Sequence, residues 1–276
     1  MQPLTLWPVA ERRRIHGVLT DIDDTLTTEG AITPDALQAL ADLRAAGLHV
    51  VPITGRPVGW SVPFAQSWPV DAIVAENGAV ALVRTGASPH PNPLPGGEGV
   101  EKLYQQDAPT RAVNYARLQQ VAQRVQREVP GTTLAQDSAG RETDIAIDHS
   151  EFTQLPPEKI EQVVQIMRSE GLQATVSSIH INGWIGAHDK LAGARWIVRE
   201  LLGRELDAEI ERWVYVGDST NDQLMFQHFP HSVGVANIRR FEAALTHRPR
   251  YITRSERGGG FAEVAQALLQ VLQPRR

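Results

Sequence analysis

The chain contains no cysteine, which excludes a disulfide scaffold, a thiolate zinc site and a cysteine nucleophile. It has no apolar run approaching the about 20 residues that a membrane-spanning helix needs. Positive charge is not in excess either. The 27 basic residues stand against 32 acidic ones for a net −5, so a broad electrostatic grip on nucleic acid is not expected. The N-terminal residues lack the apolar stretch of a signal peptide. Arg12-Arg13-Arg14 reads as a solvated edge before a strand rather than as a targeting patch. The expectation is a cytoplasmic protein with no membrane and no nucleic-acid partner. No internal repeat is visible. What is present is 42% apolar residues in 276, ample for a buried core in two domains or one large α/β domain.

Strand and helix signals alternate through the first third. Ile15 to Thr20 reads as a buried strand running into acids. Thr33-Pro34-Asp35 offers an N-cap, a first-turn proline and an acid, and Gly47 offers a stop. Leu48 to Ile53 reads as a second strand and Ala72 to Ala75 as a third, with a helix interrupted by Pro63 between them. Asn77-Gly78 predicts a turn with Ala79 to Val83 returning as a hairpin partner. Residues 86–99 carry four prolines and four glycines in fourteen positions, which predicts a mobile loop. A compact α+β unit follows, and the alternation resumes at Asp189 with helices at 190–202, 221–228, 239–246 and 261–272. The fold expectation is therefore α/β: a Rossmann-like parallel-sheet core formed by 1–84 and 188–276, with an α+β cap, 85–187, inserted between its halves.

Two acid clusters follow apolar strands. Asp21-Ile22-Asp23-Asp24-Thr25 stands at the end of the first strand, where open parallel sheets place their ligands. Alternation along an extended chain turns Asp21 and Asp23 to one face, although acids in this position are as often a helix-capping loop. Leu26 and Ile32 occupy the sixth and twelfth positions and exclude a calcium EF-hand. Gly217-Asp218-Ser219-Thr220-Asn221-Asp222 follows Trp213 to Val216. Carboxylates brought together from both clusters would repel unless compensated, and the compensation read from the residues is Mg²⁺, a hard cation with oxygen ligands. Thr54-Gly55-Arg56 supplies a hydroxyl and a glycine amide suited to phosphate oxygens. Lys190 stands at a helix start against the dipole, so its position calls for another reason. Taken singly, a threonine or lysine such as Thr54 or Lys190 is an ordinary surface residue more often than not.

Together these motifs, in this order, resemble the haloacid dehalogenase superfamily over nearly the whole chain. The resemblance implies Asp21 as nucleophile and Asp23 as general acid/base, with Thr54 and Lys190 completing the catalytic set. Asp23 points to phosphatase or phosphomutase chemistry, since P-type ATPases have threonine there and the dehalogenases lack the acid. The implied substrate-binding residues are Thr54, Gly55, Arg56, Lys190 and Asn221, and the implied Mg²⁺ site is Asp21, Asp23, Asp218 and Asp222. Within it Asp23 acts through its carbonyl, while Asn221 and Asp222 orient Lys190 and the metal's water. The insert's position, Asn77-Gly78-Ala79 and Gly234-Val235-Ala236-Asn237 resemble the capped Cof-type branch. Gly-Asp-Ser-x-Asn-Asp is similar to sucrose-phosphate and mannosylphosphoglycerate phosphatases.

The expected function is a Mg²⁺-dependent phosphatase acting on a small phosphorylated metabolite, a sugar phosphate, through an aspartyl-phosphate. A phosphosugar mutase is the alternative. A non-catalytic binding protein of this fold would be expected to have lost Asp21, Lys190 or Asp218. Arg141, His180 and Asn182 are candidates for substrate contact, weighed against ordinary cap surface. His149 and His188 have no metal-ligand spacing. The oligomeric state is not legible.

Overall fold

The structure is a computed structural model that describes residues 1–85 and 99–272. The loop expected to be mobile lies, but for Gly99, outside the described residues. Six strands form an all-parallel sheet in the order Gln2–Pro3, Tyr251–Ile252, His231–Gly234, Trp213–Gly217, Gly17–Thr20, His49–Pro52. Alternate residues of the central strands feed two separate cores. Val18, Val50 and Val214 pack with the helices Pro34–Ala45 and Arg257–Leu272 on one face. Leu19, Val51 and Tyr215 pack with the helix Lys190–Leu202 on the other. Covered on both faces, these strands are apolar throughout rather than alternating.

A parallel bridge from Ile53 to Val74 leads from this sheet to a three-stranded antiparallel one, Ala72–Ala75, Val80–Arg84 and Val100–Tyr104. The last of these strands corrects the expected boundary at 85. Val80–Arg84 and Val100–Tyr104 pair residue for residue, so a division at 85 would split a hydrogen-bonded hairpin. The second unit therefore begins after Tyr104. It is a four-stranded antiparallel sheet, ordered Gln173–Val176, His180–Trp184, Asp144–Asp148, Thr133–Leu134. The helices Ala108–Glu128 and Pro157–Ser169 cover it through Leu118, Val125, Val163 and Met167.

Three local expectations change. The helix Val58–Ser67 runs through Pro63, because that proline faces solvent and only one internal hydrogen bond is lost. Thr33 makes no side-chain cap: its hydroxyl lies over Gly258 of the last helix, and Asp35 Oδ1 accepts from Ala36 N at 3.0 Å instead. The helix expected at 239–246 is a 3₁₀ segment, Ala236–Phe241, held at its start by Asn237. A small hairpin, Thr27–Thr28 with Ala31–Ile32, stands beside the first acid cluster where no element was expected. Among the described residues no helix is long and apolar enough to cross a membrane.

Candidate active site

The strand register decides which side chains meet. Thr20 lies opposite both Val216 and Pro52, so the three central strands end flush and release Asp21, Asp218 and Thr54 at one rim. Asp21 N donates to Val216 O at 2.8 Å. Lys190 arrives from the side, at the first position of its helix, whose N-cap Asp189 accepts from Ala192 N at 2.7 Å. Its Nζ donates to Asp21 Oδ1 and Asp222 Oδ1, both at 2.7 Å. Two carboxylates therefore supply what the helix dipole does not. They keep the ammonium charged against a burial that alone would neutralise it.

Asp21, Asp218 and Asp222 each bring an oxygen within 4.8 Å of the others'. Burial pushes Asp21 up to about 7, against the pull of Lys190, with repulsion from Asp222 and Asp23 adding to the rise. Burial and then the charges of Asp21, Asp222 and Asp24 push Asp218 well above the usual carboxylate range. The three acids are not equivalent. Asp222 Oδ1 accepts from Lys190 and from Tyr215 Oη, at 2.5 Å, and its Oδ2 accepts from Asp218 N and Ser219 N. That carboxylate is fully occupied in organising the loop. Asp218 Oδ2 accepts from Asn237 Nδ2 at 3.1 Å, while its buried Oδ1 has no hydrogen-bond partner among the described residues. An orphaned carboxyl oxygen beside Asp21 fits a divalent cation, whose positive charge would favour the ionised form that burial disfavours.

The phosphate-type loop lies alongside. Thr54 is buried, and its Oγ1 accepts from Arg56 N at 3.0 Å. Arg56 donates from Nε to Asp23 at 2.9 Å, from Nη1 to Asp137 at 3.0 Å and from Nη2 to Glu151 at 2.7 Å. Burial of this guanidinium is outweighed by its acidic partners, Asp23 foremost, so it stays charged. A cavity of about 550 Å³ opens between the two units, lined among others by Asp23, Asp24, Arg56, Glu151, Phe152 and Arg257.

Residues 18–105 match the family described as haloacid dehalogenase-like hydrolase. Over these residues, about a third of the chain, it is similar to that family. No curated protein matches it. Solved structures share its fold at low identity. A Thermoplasma acidophilum protein is 17% identical with a TM-score of 0.66, covering 93% of this chain and 99% of its own. The sucrose-phosphatase of Synechocystis, solved with sucrose and phosphate, is 16% identical with a TM-score of 0.62, covering 93% and 98%. A HAD subclass IIB sugar phosphatase is 16% identical with a TM-score of 0.57, covering 91% and 96%.

In this fold Asp21, Lys190, Asp218 and Asp222 meet directly, and Thr54, Gly55, Arg56 and Asp23 flank them. The Asp23 carboxylate stands outside the acid cluster, on Arg56, which leaves the role expected of its carbonyl as it was. Two expected roles meet other partners. Arg56 spends its donors on three carboxylates and not on a substrate anion. Asn221 accepts from Ser219 Oγ at 2.8 Å, so orientation of Lys190 falls to Asp21 and Asp222. Asn237 stood in the Gly234-Val235-Ala236-Asn237 motif without an assigned role, Tyr215 was read only as part of a strand, and Asp137 and Glu151 had no sequence signal because their partner Arg56 lies far away in the chain. His180 is paired with Glu151 at 2.7 Å, and His149 bonds Ser150 and Ser177.

His188, two residues before Lys190, packs on Trp184 with ring centroids 5.8 Å apart, and its Nε2 has no hydrogen-bond partner among the described residues. Burial pushes it down to about 4 from an ordinary 6.5. Between those values the unfolded chain binds a proton that the folded chain does not, so stability falls as pH drops through this window. The loss is on the order of 3 kcal/mol once pH reaches about 4. His188→Gln should flatten this part of the profile in urea unfolding at pH 7.5 and 4.5. An unchanged pH slope would refute it.

Proposed function

We propose that this protein is a phosphatase that transfers a phosphoryl group from a small phosphorylated metabolite, a sugar phosphate, to Asp21 and then to water. The observation that carries the reading is the Lys190 ammonium shared by Asp21 and Asp222 beside the unpartnered Asp218 oxygen. On this reading Asp21 and Asp218 would hold a Mg²⁺ ion, which when bound would supply positive charge for the phosphoryl oxygens. Lys190 and the Thr54 hydroxyl hold the same oxygens. Asp21 keeps Oδ1 on Lys190 and attacks phosphorus with Oδ2. The new O–P bond forms as the ester bond breaks, and Asp23 gives its proton to the departing alkoxide. Asp23 then takes a proton from the water that attacks the aspartyl-phosphate, and phosphate leaves. Residues 105–187 act as a cap over a core of 1–104 and 188–276. The cavity at their junction receives the leaving group, in keeping with the sucrose bound by one similar structure and the sugar phosphatase activity named for another. No observation favours a mutase.

The test is phosphate release from a panel of sugar phosphates and p-nitrophenyl phosphate, with and without a chelator. Wild type should turn over and fall silent on chelation. Asp23→Asn should lose about 10²–10⁴-fold on sugar phosphates and less on p-nitrophenyl phosphate, whose leaving group departs without a proton. Equal losses on both would remove Asp23 from the proton transfer, and activity indifferent to chelation would overturn the cation.

A further inference from the structure

We infer that Arg141 and Asn182, side chains of the cap, are positioning residues for the phosphoryl-binding loop, so that the cap is a structural part of the phosphoryl site. The inference rests on the phosphatase reading. All three carbonyls of Thr54-Gly55-Arg56 are held from outside the loop. Thr54 O accepts from Asn77 N at 2.9 Å and Arg56 O from Glu76 N at 3.0 Å. Gly55 O accepts from Arg141 Nη1 at 3.0 Å and from Asn182 Nδ2 at 3.3 Å. A peptide is planar, so fixing the Gly55 carbonyl also fixes the N–H on its far side. That N–H belongs to Arg56 and donates to Thr54 Oγ1. With its oxygen so engaged, the Thr54 hydroxyl turns its own proton outward, toward a phosphoryl oxygen.

The anchor is itself rigid. Arg141 is buried and bound by Asp144 at 2.8 Å and Asp137 at 3.1 Å. The neighbouring backbone is clamped by buried Glu76, which accepts from Glu142 N at 2.9 Å and from Thr143 N at 2.6 Å. Gly140 lies so close to Gly59 that a Cβ on Gly59 would stand 2.8 Å from its Cα. Neither Arg141 nor Asn182 lines the cavity beside Asp23. The two therefore act on the phosphoryl group common to all substrates and not on the leaving group.

The experiment measures inhibition by inorganic phosphate and kcat/KM over several leaving groups for Asn182→Ala and Arg141→Met. The inhibition constant should rise about threefold and about tenfold, respectively, as expected for losing one neutral or one charged hydrogen bond. The loss in kcat/KM should be the same for every leaving group. In a Thr54→Val background, Asn182→Ala should add nothing further, because it works through that hydroxyl. Should Arg141→Met fail to fold, Asn182→Ala alone carries the comparison. Unchanged phosphate inhibition, losses that vary with the leaving group, or additivity with Thr54→Val would each overturn the inference. A wild type that hydrolyses no phosphate ester and is not inhibited by phosphate would overturn the phosphatase reading, and this role with it.

Discussion

Asp21→Asn is expected to abolish turnover, by at least about 10⁴-fold, while leaving the fold intact or more stable. The substitution removes the attacking oxygen and one of the two acids assigned to the cation. It also removes a charge that burial disfavours and that Asp218 and Asp222 repel. Lys190 keeps its bond to Asp222, so no buried ammonium is stranded. The crowded acids persist because the chemistry needs them, at a cost in stability. Thermal unfolding and single-turnover phosphate release on the same preparation test both halves. Residual activity within a hundredfold of wild type would remove Asp21 as nucleophile. A large fall in melting temperature would show that its charge is structural.

The largest loss of stability is expected from Gly78→Ala. Gly78 has φ +107, and a Cβ there would stand 2.2 Å from the carbonyl oxygen of Asp189. Backbone meets backbone at this point, because a Cβ on Gly193 would in turn stand 2.6 Å from Gly78 Cα. The turn Glu76–Gly78 rests on the first helical turn that carries Lys190. Strain and overlap together should cost about 3 kcal/mol or more, and the surviving folded fraction should have a displaced Lys190 and a lower kcat. Gly203→Ala is the comparison, since Gly203 is also left-handed, at φ +61, but has open space around it. It should lose only about 1 kcal/mol. Urea unfolding of the pair decides, and equal losses would refute the overlap argument.

These residues show how much a sequence carries. The apolar run before Asp21 and the one before Asp218 were legible as buried strands, because a strand covered on both faces leaves no polar alternation. The order of the motifs identified the family resemblance, and Lys190 stood out because it opposes the dipole of its own helix. The boundary at 85 was not legible. The proline- and glycine-rich stretch looks like a domain break, and nothing local announces that Val100–Tyr104 pairs back onto Val80–Arg84. Arg56 reads like a phosphate-binding group until its three acidic partners, from distant segments, are in place.

The sequence by itself determined the alternation of strands and helices, the buried character of the strands and the acids and lysine at their ends. These depend on periodicity, turn chemistry and short-range order, all of which are local. Only the tertiary structure decided which acid faces a cation and which is consumed by hydrogen bonds. It also decided that Asp23 meets Arg56 and that the cap reaches Gly55. Such pairings depend on strand register and on the close backbone contacts at Gly78 and Gly140. Those distances join residues far apart in the chain, and no local propensity encodes them.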